Sequence, residues 1–178
     1  MPTSTTDLWD TIAADAGEES ALWNAALRPR EEQERDPAFS PLGEPRYALG
    51  IETIYEGYLL HYGRPRLFSP EDQDAALLLG DYLYAHGLVR IEEVGTVEAV
   101  SDLAELIALC AYLHAEEIVG DGPVWAATSA ALGRGQLEPG RSSLRLDNDP
   151  NPLERLARAR ASDAAVDEAL ATHRGRLR

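Results

Sequence analysis

Apolar residues return at steps of three and four through two consecutive stretches of this 178-residue chain, with a Gly-Pro break between them. In residues 46–62, Tyr47, Ile51, Ile54, Tyr55, Tyr58 and Leu59 keep the period of one face of a helix. Gly63 and Pro65 close that pattern, as a C-terminal glycine and a following proline commonly do. Ser69-Pro70-Glu71-Asp72 opens the second stretch: the serine can cap, the proline fits a first turn, and the acids favour the positive end of the helix dipole. From Ala75 to Leu79 this second helix is apolar nearly all round, which predicts a central position. Alanine and leucine dominate the apolar residues, β-branched residues are few, and no segment alternates as a strand does. The expected class is all-α.

The remaining chain divides around this pair. Thr6 can cap a first helix that carries Leu8, Ile12, Leu22, Trp23 and Leu27, with a break or bend at Gly17. Residues 29–45 hold four prolines and a charge run, the composition of a loop or mobile linker. A long helix is expected over about 96–119, where Leu103, Leu106, Ile107, Cys110 and Leu113 form one stripe. A short helix is expected over 123–132, a loop over 133–151, and a last helix over about 152–173. The organisation reads as an N-terminal helix and linker (1–45), a helical core (46–133), and a loop with a C-terminal helix (134–178).

The formal charge of −15 disfavours nucleic acid, whose phosphates need clustered cations, and an anionic membrane surface alike. All sixteen cations are arginines, so lysine-dependent chemistry such as a P-loop or a Schiff base is excluded. The single cysteine, Cys110, allows no internal disulfide and sits on an apolar stripe, as a small core residue does. No run approaches a membrane span, and the first ten residues lack the cationic and apolar regions of a signal peptide; a cytoplasmic protein is the expectation. His61, His86, His114 and His173 fall on different elements without metal-ligand spacing.

One constellation carries chemistry. Glu52 and Glu56 project from one helical face a turn apart, and carboxylates so placed can hold Mg²⁺ while water and substrate phosphates take its other positions. Asp81, among apolar neighbours, needs a partner, and Arg64 and Arg66 are candidates for that partner or for a diphosphate. The bland alternative is an amphipathic helix with two solvated glutamates. Tyr55, Tyr58 and Tyr82, with three further tyrosines, line either a helix-packing surface or a hydrophobic tunnel.

On these residues the chain resembles the trans-isoprenyl diphosphate synthases. In that family an Asp-Asp-x-x-Asp motif ends one helix, an Arg-Arg-Gly-x-Pro loop follows, and the next helix carries Gly-Asp. Here Gly63-Arg64-Pro65 stands for the loop's Gly-x-Pro, Gly80-Asp81 for the Gly-Asp, and the step of fifteen residues from Pro65 to Gly80 matches the family's spacing. The motif aspartates fall on Glu52, Thr53 and Glu56, and the two arginines on His61 and Tyr62. The second aspartate-rich motif has no counterpart, since Asp147-Asn148-Asp149 comes too early. The chain is most similar to the small subunit, component I, of heterodimeric hexaprenyl and heptaprenyl diphosphate synthases. The resemblance covers about 42 residues well, from Arg46 to Gly87, and runs weakly through 96–119.

That resemblance implies a truncated isoprenoid-synthase-like helical bundle acting as a non-catalytic subunit. It implies no cofactor of its own, and a catalytic prenyltransferase large subunit as partner. Tyr55, Tyr58 and Tyr82 would then border the prenyl chain. Two alternatives stand beside it: a Mg²⁺-dependent enzyme or binding protein for an isoprenoid diphosphate, using Glu52 and Glu56, and a homodimeric helical protein unrelated to isoprenoids.

Overall fold

The structure, a computed structural model, describes residues 7–177. Among them the regular elements are all helical, and only two isolated bridges, Leu27 with Phe68 and Gly63 with Leu177, pair extended backbone. In chain order the helices are α1 (Leu8–Glu19), α2 (Ala21–Ala26), α3 (Ala48–Tyr62), α4 (Gln73–Val94), α5 (Val97–Ala115), α6 (Asp121–Ala130), α7 (Glu138–Asp147), α8 (Asn151–Arg160) and α9 (Asp163–Arg174). No helix among the described residues is long and apolar enough to cross a membrane.

The central helix is α3, not α4. Every residue from Gly50 to Leu60 is buried, glutamates included. On one side α3 meets a cluster built by α1, α2 and α4, with Trp9, Ile12, Phe68, Leu79 and Leu83. On the other it meets a larger cluster from α5, α6, α8 and α9, centred on Trp125. The apolar run of α4 instead straddles a surface: Leu79 is buried while Leu77 and Leu78 are exposed. A helix with packing on one side keeps its outer face in water whatever residues it carries there.

Glycines set how closely α3 and α4 approach. Gly57 lies against Gly80 and Gly50 against Gly87, an antiparallel register with both pairs seven residues apart. A Cβ on Gly57 would stand 2.9 Å from the Gly80 carbonyl oxygen, and one on Gly87 would stand 2.4 Å from Ile54 Cγ1. Gly80 therefore has a packing job independent of any motif. Gly87 does not end α4, which runs on to Val94.

Several boundaries differ from the sequence expectation, each for a local reason. Thr6 lies outside the described residues; the cap of α1 is Asp7, whose carboxylate accepts from Trp9 N. The break after α1 falls at Ser20, which caps α2, rather than at Gly17. Asp72, not Ser69, caps α4: its carboxylate accepts from Ala75 N at 2.8 Å, while Ser69 N donates to the Ala26 carbonyl at 2.7 Å, before the helix begins. The expected 152–173 helix is two, since Ser162 accepts from Ala165 N and starts α9 afresh. The expected loop at 133–151 contains α7, held by Leu144 in the core and by buried Arg141, which reaches Asp102 at 3.1 Å.

The segment 29–45 is irregular but packed. Phe39 is fully buried and stacks on Trp125, with centroids 5.6 Å apart. Residues after 133 likewise join the core, through Leu144, Leu153, Ala157 and Val166.

Candidate functional site

Glu52 and Glu56 do share one face of α3, but that face points into the protein. Burying two carboxylates requires a partner and filled lone pairs, and the α3–α4 loop supplies them. Gly63 and Pro65 turn the chain so that Arg66 folds back onto α3. Arg66 Nη1 lies 2.6 Å from Glu52 Oε2, and its Nε lies 2.9 Å from Glu56 Oε2. All three side chains have no exposed surface.

The remaining oxygens are filled by backbone. Glu52 Oε1 accepts from Ala38 N at 3.2 Å and Ser40 N at 3.1 Å. Glu56 Oε1 accepts from Arg66 N at 2.9 Å and Leu67 N at 2.8 Å. Arg66 Nη2 donates to the Glu52 carbonyl at 3.1 Å, and Nη1 also reaches the Asp36 carbonyl at 3.3 Å. The Trp9 and Tyr55 rings cover the guanidinium at 4.5 and 5.0 Å. Burial opposes the charge on Arg66, but the two glutamates outweigh it and push its pKa above the ordinary arginine value.

Thr53, between the two glutamates in sequence, is also met by an arginine. Its hydroxyl donates to the Leu49 carbonyl at 2.6 Å and accepts from Arg90 Nη1; Arg90 in turn pairs with Asp15 of α1.

This arrangement does not fit a Mg²⁺ site. Every oxygen of the two glutamates is engaged by nitrogen donors, and among the described residues no group of three or more His, Cys, Asp or Glu side chains is placed to hold a metal ion. The expected metal pair is thus a structural ion triad, and Arg66 is a core residue instead of a diphosphate ligand. The alternative of two solvated glutamates fails on the same geometry.

The other expected site residues do not converge on this triad. Asp81 points outward with its side chain 70% exposed, and contacts His61 Nε2 at 3.2 Å without a well-aligned hydrogen bond. Its apolar neighbours in sequence turn inward while it does not. Arg64 is exposed, donates to the Gly175 carbonyl at 3.2 Å, and borders an open cleft of about 570 Å³. Arg28 lines that cleft too, but so do Glu71 and Asp72, so its charge is mixed. Tyr82 stacks on His86 at 5.4 Å, on the α1–α2 side, away from Tyr55 and Tyr58.

Comparison with family models, curated proteins and solved structures finds no match.

A second polar constellation, invisible in the sequence, joins α3, α5, α6 and α9. Tyr55 Oη meets His173 Nδ1 at 2.9 Å, and His173 Nε2 meets Asp121 Oδ2 at 3.0 Å. Tyr58 donates to the same Asp121 oxygen and lies 2.8 Å from His114 Nε2. Tyr62 stacks on His114 with centroids 3.9 Å apart. With His173 carrying its proton on Nε2 and His114 likewise, every donor in the chain points towards the Asp121 carboxylate. Gly120, at φ 156°, turns the backbone into α6 and sets Asp121 on its first turn.

The electrostatics mark this network as closed. Burial would raise the Asp121 pKa, yet the hydrogen bond from His173, then that from the Tyr58 hydroxyl, hold it at about 2. Burial pushes the Tyr55 and Tyr58 hydroxyls far up, aided at Tyr58 by Asp121, so both stay neutral. Burial, then Asp121, also pushes the Cys110 thiol well up, so it is no nucleophile. No sequence spacing flags the set, because Tyr58 and Asp121 lie 63 residues apart and Tyr55 and His173 lie 118 apart.

Proposed function

We propose that this chain is a non-catalytic, isoprenoid-synthase-like helical subunit that works with a catalytic prenyltransferase in making a polyprenyl diphosphate, such as the precursor of a quinone side chain. The observation that carries the reading is the fate of positions 52, 53 and 56. In a catalytic synthase these would collect Mg²⁺ and neutralise the departing diphosphate. Here Glu52 and Glu56 are closed around Arg66, and Thr53 is bound to Arg90.

The geometry that remains is that of a scaffold. Gly63 and Pro65 shape the loop, and Gly80 keeps α3 and α4 in backbone contact. A chain whose α3 glutamates are closed around Arg66 can still lend surface to a partner that carries the chemistry. Its contribution is to pack on the large subunit and shape the wall of the prenyl-chain tunnel.

The test is co-purification with a prenyltransferase large subunit, followed by product-length analysis with and without this chain. The reading predicts a stable complex and a changed chain-length distribution. An unchanged distribution, or condensation by the isolated chain, would overturn it.

A further inference from the structure

Along its outer side α4 carries a second apolar line, turned away from α3. Ala75, Leu78, Tyr82, Ala85 and Val89 follow one another at steps of three, four, three and four, the a/d spacing of a coiled-coil seam. Leu78 is 58% exposed, Val89 is 52% exposed, Ala85 is exposed, and Ala75 and Tyr82 are half-buried. Leu22, 52% exposed, and Trp23 extend the line from α2. Between these two and Ala75 opens a cavity of about 140 Å³, with Glu71 and Asp72 at its rim. Two heptads of helix amount to about 21 Å of seam.

The flanks decide what can cover it. Asp74, Asp81 and Glu92 run exposed along one side. On the other, Glu19 and Asp15 of α1 lie close enough to Tyr82 to oppose ionisation of its hydroxyl, after burial itself. The only arginine in α1, α2 and α4 is Arg90, and it is buried and engaged by Asp15 and Thr53.

A second copy laid seam to seam would set acid against acid, and an anionic membrane would be repelled. The arginine-rich helix α8, and α9 with its single arginine, do not solve this. Their apolar residues Leu153, Ala157 and Val166 already lie in their own core, leaving arginines with no apolar line to fill the seam.

We infer that the outer face of α4 docks an amphipathic helix of a different chain, apolar along its own a/d line and flanked by arginine or lysine. The apolar seam supplies the contact and the acidic flanks select the partner. This holds whether or not that partner is a prenyltransferase, so its failure would leave the reading above to its own test of product length.

The test uses the full chain and three labelled synthetic peptides of three heptads each. One has leucine at a and d with lysine flanks, one the same seam with glutamate flanks, and one the lysine composition in scrambled order. Anisotropy titrations at physiological salt should show binding of the first, at least tenfold tighter than of the other two. Leu78→Glu with Val89→Glu should weaken that binding at least tenfold while leaving the thermal melt unchanged, since both side chains are exposed. These substitutions add negative charge, so general attraction between a chain of −15 and a cationic peptide would hold or strengthen binding instead. Undiminished binding in the variant, or equal binding of the scrambled peptide, would overturn the inference. So would a dimer of the chain alone, in sedimentation, that the same substitutions dissolve, because the seam would then belong to a second copy.

Discussion

At the scale of single residues, Arg66 decides what Glu52 and Glu56 are. A charge removed from a buried, hydrogen-bonded cluster leaves its partners uncompensated, which is why breaking such a group costs roughly 3–5 kcal/mol while replacing all of it by apolar residues can be nearly neutral. Arg66→Met should therefore lower the urea midpoint by the equivalent of several kcal/mol, and Glu52→Gln with Glu56→Gln in that background should recover part of the loss. A chain with Arg66→Met that unfolds at the parent midpoint would show that the triad holds nothing together.

The histidines give a pH signature of known sign. Burial lowers the His114 pKa, against the pull of Asp121, and burial lowers that of His61, against Asp81. A histidine that binds protons more weakly when folded stabilises the fold fully above its unfolded pKa, near 6.5, and loses that contribution as pH falls through the folded value. Asp121 acts in a lower window: its share is present above its ordinary value of 3.8 and disappears as pH falls through about 2. Between pH 7 and 5, unfolding midpoints of His114→Gln should fall less steeply than those of the parent. Equal slopes would place the acid sensitivity elsewhere.

At the scale of elements, the α3–α4 crossing is the test of packing. Replacing a helical glycine by a residue with a Cβ gains up to about 1 kcal/mol of helix propensity. Contact decides the sign here. At Gly57 the new Cβ would meet backbone, the Gly80 carbonyl at 2.9 Å, which cannot step aside without moving α4. Gly57→Val should destabilise the chain by about 1–3 kcal/mol, read as a lower thermal midpoint. At Gly80 the nearest atom is the far end of His61, at 2.6 Å, so Gly80→Ala should cost less. The reverse order would contradict the register described for the two helices.

The helices themselves were largely legible, because α3, α4 and α5 keep a 3.6-residue period over many turns. What each face touches was not. The Glu52–Glu56 pair was visible, but Arg66 was read as reaching a ligand or Asp81, since sequence spacing does not show which way a loop folds back. The glycines at 50, 57, 80 and 87 stand seven apart in both helices, a signal of close approach, whereas Gly80 stood out in the sequence only as half of a Gly-Asp pair. α7 was missed because EPGRSSLRLD has poor local helix preference and is held by Arg141 and Leu144. The Tyr58–His114–Asp121–His173 network joins residues from four helices, and no short-range pattern records it.

At the scale of the whole molecule, α3 is an axis, buried from Gly50 to Leu60, that carries charge. Its glutamates pin the segment 36–40 and the α3–α4 loop, and its tyrosines pin α5, α6 and α9. Glu52, Glu56 and Arg66 thus hold this fold together from its centre. The measurement that tests this most directly is a calorimetric titration of the intact chain with Mg²⁺ in the presence of an allylic diphosphate. The account predicts no saturable heat. Saturable Mg²⁺-dependent binding, abolished by Glu52→Gln or Glu56→Gln in a chain that still melts cooperatively, would contradict it.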